Sequence, residues 1–128
     1  MKTLAKVLPG LIALFFLLPG FLFTFNPDAG LGRLGVTPDT IAGYASIRSF
    51  IGGTFLGLAV LLIHGIMQNA AKPIRMVAIM LAMAVLGRLV GLGLDGIDST
   101  VIGPFVIEIV LVGVLLFSAQ QIEASEEG

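Results

Sequence analysis

Across 128 residues the chain carries 57% hydrophobic but only 12% charged residues, with a net charge of −1 and a mean hydropathy of +1.08. A soluble domain needs about a quarter of its residues charged to cover its surface, so this composition points to one membrane-embedded domain. It excludes bulk attraction to nucleic acid, and the absence of cysteine excludes disulfides, thiolate metal sites and thiol nucleophiles.

A membrane-crossing helix needs about 20 mainly apolar residues, because the hydrocarbon layer is about 30 Å thick and each residue rises about 1.5 Å. Four segments qualify, at about 4–25, 38–67, 74–94 and 100–122. The expected fold is therefore all-α, a polytopic four-transmembrane-helix bundle forming a single domain over residues 1–128.

Lys2 and Lys6 flank the first span, which is too long for the apolar core of a signal peptide. Its exit, Thr24-Phe25-Asn26-Pro27-Asp28, lacks the small residues of a cleavage site, so an uncleaved helix is expected. Pro9 and Pro19 predict bends. Asn26-Pro27-Asp28 ends the helix, and Gly30, Gly32 and Gly35 predict a non-helical loop after it. Thr37-Pro38 reads as a cap and first residue of the second span.

The second span carries Arg48 near its start, then Gly53 and Gly57, with His64 as an interfacial residue one turn from its end. Lys72 and Arg75 sit in the link to the third span, which holds Gly87, Arg88 and Gly91 and leaves the membrane at Asp95. Ser99 or Thr100 can cap the fourth span, which contains Glu108, and the acidic tail 123–128 is expected to fray. Lysine and arginine concentrate at the two termini-side segments, so the positive-inside rule places both termini in the cytoplasm.

Lipid gives helices no hydrophobic reason to associate, so close packing through small residues must hold the bundle. The G-x-x-x-G pairs Gly53–Gly57 and Gly87–Gly91 are the expected contact faces of the second and third helices.

Arg48, Arg88, Asp95 and Glu108 are ionisable residues within or at the edge of apolar spans, where an unpaired charge costs at least about 2.5–3.5 kcal/mol. Helix rise puts Arg88 and Glu108 at the same height, about 18 Å from one boundary, on antiparallel neighbours, and so predicts an ion pair. Arg48 and Asp95 are expected to join them in one polar cluster. That cluster either locks the bundle or forms a ligand-binding pocket open to the outer side. No catalytic residue, metal site or cofactor motif is read from the sequence, because one histidine and the acids of Asp95-Gly-Ile-Asp98 are too few.

Asn26-Pro27, the run Arg48 to Gly53, the block Gly87 to Gly96 and Glu108 resemble a family of small bacterial four-helix membrane proteins known as domain of unknown function 4345. The resemblance implies a bacterial cytoplasmic membrane and carries no activity. The function expected is non-enzymatic: binding of a lipid or small anionic amphiphile in an outward pocket, or service as accessory subunit of a membrane complex. An oligomeric channel or transporter using Glu108 and Asp95 is the alternative, and an embedded enzyme ranks below both. Expected partners are membrane lipids, with a membrane protein or a second copy beside them, and no nucleic acid.

Overall fold

Asp28 stands in the first turn of a short helix that Gly35 ends in the left-handed conformation, at φ 64°, with its N–H bonded to Leu31 O. The segment expected to be a loop is thus helical. In the computed structural model, which describes residues 2–127, the chain is all-α with five helices. They are α1 (Lys2–Phe25), α2 (Asp28–Leu34), α3 (Ile41–Met67), α4 (Ala71–Leu94) and α5 (Ser99–Glu127). Residues 1 and 128 of the expected domain lie outside the described residues. All but α2 are long and apolar enough to cross a membrane, which marks a membrane protein.

Short connections make successive long helices antiparallel. Lys2, Asn69 and Ser125 therefore meet at one end of the molecule, the termini end, and α2 covers the other. Pro9 and Pro19 sit inside an uninterrupted α1. Thr40, not Thr37, caps α3, its hydroxyl accepting from Gly43 N at 3.0 Å. The acidic tail stays helical to Glu127, and Arg75 of α4 donates to both Glu123 carboxylate oxygens through Nη1 and Nη2.

The core lies in the termini half. Ile12, Ala13 and Phe16 of α1 meet Leu58, Ala59 and Leu62 of α3, Ile74, Val77 and Leu81 of α4, and Leu115 and Ala119 of α5. Ser118 is fully buried among them, and its hydroxyl has no hydrogen-bond partner among the described residues. A second cluster of Phe23, Leu31 and Ile47 seats α2 on α1 and α3. Between residues 82 and 114 nothing is buried: the far halves of α4 and α5 stand clear of α1 and α3.

That splay corrects the expected packing faces. A Cβ added at Gly57 or Gly87 meets nothing within 4 Å, one at Gly53 reaches only Arg48 O, and one at Gly91 only its own helix's Asp95. The close approaches fall elsewhere. An added Cβ would lie 2.7 Å from Leu56 at Gly20, 2.8 Å from Thr24 N at Gly52, and 2.9 Å from Ile74 at Gly65. Gly52 reaches Thr24 because residues Ile47–Gly52 widen into a π turn, in which Gly53 N bonds Arg48 O five residues back. Such single-turn bulges reorient the side chains around them.

Candidate functional site

Arg88 Nε donates to Glu108 Oε2 at 2.8 Å, which joins the far halves of α4 and α5. The carboxylate is the better covered partner, with 18% of its side chain exposed against 36% for the arginine. Among the described residues no protein acceptor bonds either Nη nitrogen of Arg88. The guanidinium is thus anchored at one corner and keeps a free edge of N–H donors.

Arg33 comes to the same place from α2. It lies in the last turn of that helix, is exposed, and has no carboxylate at ion-pair distance among the described residues. Gly30 eases this position: a Cβ there would lie 2.7 Å from the Phe23 ring, so a larger residue would have to push that ring aside for α2 to lie flat on α1. Arg33, Arg88, Gly35, Thr100, Val101 and Pro104 line an open cavity of about 360 Å³.

At the rim, Asp98 accepts from Thr100 N at 2.8 Å and from Thr100 Oγ1 at 2.6 Å, and so caps α5 in place of Ser99 or Thr100. The Thr100 hydroxyl and then its amide hold the Asp98 carboxyl below the usual carboxylate range. Asp98 itself is not a wall of the cavity. Two guanidiniums line the space: Arg88 is balanced by Glu108, Arg33 has no ion-pair partner among the described residues, and the Asp98 carboxylate stays at the rim on Thr100.

The remaining members of the expected cluster are placed differently. Arg48 points to the end of α1, where Nη1 donates to Thr24 O at 2.6 Å and Phe25 O at 3.2 Å. The π turn gives it that direction, and it serves as the C-terminal cap of α1. Asp95 is exposed, and no hydrogen bond links it to Arg48 or Arg88 among the described residues. Nearby, Tyr44 Oη donates to Asp28 Oδ1 at 2.8 Å and ties α3 to the start of α2.

On the other side of Arg33 runs an apolar groove of about 500 Å³, walled by Phe15, Leu18, Pro19, Leu22 and Phe23. Arg33 and Leu34 border both spaces. No group of three or more His, Asp or Glu that could hold a metal ion occurs among the described residues.

Residues 4–119 match the family described as Domain of unknown function (DUF4345). The chain belongs to that family. Every wall of the cavity and of the groove falls within the stretch that the family covers, whereas the acidic last turns of α5 lie beyond it. No curated protein and no solved structure matches the chain.

Arg33 was missed in the sequence because it reads as a lone loop cation between Gly32 and Gly35. Its signal was its isolation: it is the only basic residue between Lys6 and Arg48.

Proposed function

We propose that this DUF4345 protein is a membrane-resident binding protein that takes an anionic group, a carboxylate or phosphate ester, between Arg33 and Arg88. The observation that carries the reading is a cavity lined by two arginines, one of them unpaired among the described residues. Guanidinium donors match planar and tetrahedral oxyanions better than any other side chain. Glu108 supports binding over conduction, because its carboxylate is held by Arg88. Lys2, Lys6, Lys72 and Arg75 at the termini end favour cytoplasmic termini, which puts this cavity on the outer side of the membrane.

The test is the lipid and metabolite content of gently extracted protein, read by native mass spectrometry. Anionic species should stay with the wild type and be lost from Arg33→Gln. Identical content in both proteins, or retention of zwitterionic lipid alone, would reject the reading.

A further inference from the structure

The groove and the cavity meet across the last turn of α2, where Arg33 and Leu34 line both. A small soluble anion would occupy only the polar side. The apolar side has a shape of its own: Phe15, Leu18, Pro19 and Leu22 follow one face of α1 for about 10 Å at the rise of an α-helix. Leu18 is 74% exposed, so the groove opens sideways, and in a membrane it opens into hydrocarbon. Cation at one end and apolar channel at the other is the pattern that an amphiphile with an anionic head would fit.

We infer that the occupant is an anionic lipid, whose head lies between Arg33 and Arg88 and whose acyl chain lies along Phe15, Leu18 and Leu22 of α1. The inference rests on the anion reading of the cavity and adds the chain. Entry is lateral, from the leaflet, so the head travels at the level of the other lipid heads and the chain never crosses water. Gly30 lets α2 sit close on Phe23, and that seat brings Arg33 over the groove.

Three probes separate head from chain: glycerol 3-phosphate (the head alone), lysophosphatidic acid (head and chain) and lysophosphatidylcholine (the chain with a zwitterionic head). Retention is read by native mass spectrometry for the lipids and by thermal shift for the soluble head. Lysophosphatidic acid should be retained best, and Arg33→Gln should weaken it about tenfold or more, as loss of a charge-assisted hydrogen bond does. Leu18→Trp, at an exposed position that leaves folding intact, should fill the groove. Each displaced methylene should lower retention of lysophosphatidic acid up to about fourfold. The shift with glycerol 3-phosphate should stay as in the wild type. If Leu18→Trp and Leu22→Trp both retain lysophosphatidic acid normally, the chain lies elsewhere and this inference is overturned while the anion site stands. If lysophosphatidylcholine is held as well as lysophosphatidic acid and Arg33→Gln changes neither, the anion reading itself falls and takes the chain with it.

Discussion

The guanidinium of Arg48 closes the end of α1: its Nη1 lies 2.6 Å from the carbonyl oxygen of Thr24 and 3.2 Å from that of Phe25. Helix C-termini carry unsatisfied carbonyls and a partial negative charge, and a cation there answers both. Arg48→Met should therefore lower stability by about 1–2 kcal/mol, a value kept modest by the exposure of the pair. Retention of anionic lipid should be untouched, because Arg48 lines neither the cavity nor the groove. A variant of normal melting temperature that no longer holds lipid would reverse these roles.

Arg88 and Glu108 should be coupled. Within a membrane span the worst state is one charge without its partner, so a single substitution should harm more than the pair of substitutions does. A double-mutant cycle of Arg88→Met and Glu108→Gln, read by melting temperature in detergent, should give a coupling energy of about 1–3 kcal/mol. Simple additivity would show that the 2.8 Å contact contributes nothing to the fold.

How far the sequence could be read depends on which physical rule set each feature. The four spans follow from apolar length alone, and the equal height of Arg88 and Glu108 on antiparallel neighbours follows from helix rise. The helix α2 does not. Gly30 and Gly32 give it poor propensity, and it exists because Leu31 packs on Phe23 and Ile47. The direction of Arg48 was also hidden, since one extra residue in the π turn rotates it from the cluster to the end of α1. The cavity could not be read without α2, because α2 supplies Arg33. Small residues show that close contact is possible but not which helix face turns inward, so Gly87 and Gly91 looked like packing positions while Gly20 and Gly52 hold that role.

The glycines provide a direct test. Gly52→Ala puts a methyl group against the Thr24 backbone and should destabilise by about 1–3 kcal/mol, as overpacking does. Gly87→Ala meets open space, removes glycine's helix penalty and should leave stability unchanged or raise it by up to about 1 kcal/mol. The reverse order of melting temperatures would show that the helices meet along the Gly87 face instead.

Ser118 is an expected site of gain. Its hydroxyl is fully buried without a partner among the described residues, a state that costs about 1–3 kcal/mol in soluble proteins. Ser118→Ala should raise the melting temperature, and a clear fall would mean that the hydroxyl has a partner in the native membrane.

The start of α5 should respond to acid. The folded Asp98 carboxyl lies below its ordinary value because Thr100 bonds its charged form. Its contribution is therefore complete above the unfolded value of about 3.9 and is lost as pH falls through the depressed folded value. Asp98→Ala should melt below the wild type at neutral pH, and the gap should close in acid. A gap of the same size at both ends of that range would mean that the carboxylate is not the cap.

Orientation decides which side of the membrane the cavity faces. Lys2, Lys6, Lys72 and Arg75 lie towards the termini end, while Arg33 is the only basic residue in the segments that join the spans at the α2 end. Translocating lysine and arginine is unfavourable, so the richer end should stay in the cytoplasm. Because the chain has no cysteine, single cysteines report this without background. Ala29, Gln68 and Ala124 are exposed and suit the purpose. In intact cells an impermeant maleimide should label Ala29→Cys, while Gln68→Cys and Ala124→Cys should react only after the membrane is opened. The opposite pattern would turn the Arg33–Arg88 cavity to the cytoplasm, where its lipid would have to come from the inner leaflet. Labelling of all three from outside would mean that the chain inserts in both directions, and the charge bias would then be too weak to fix the fold's orientation.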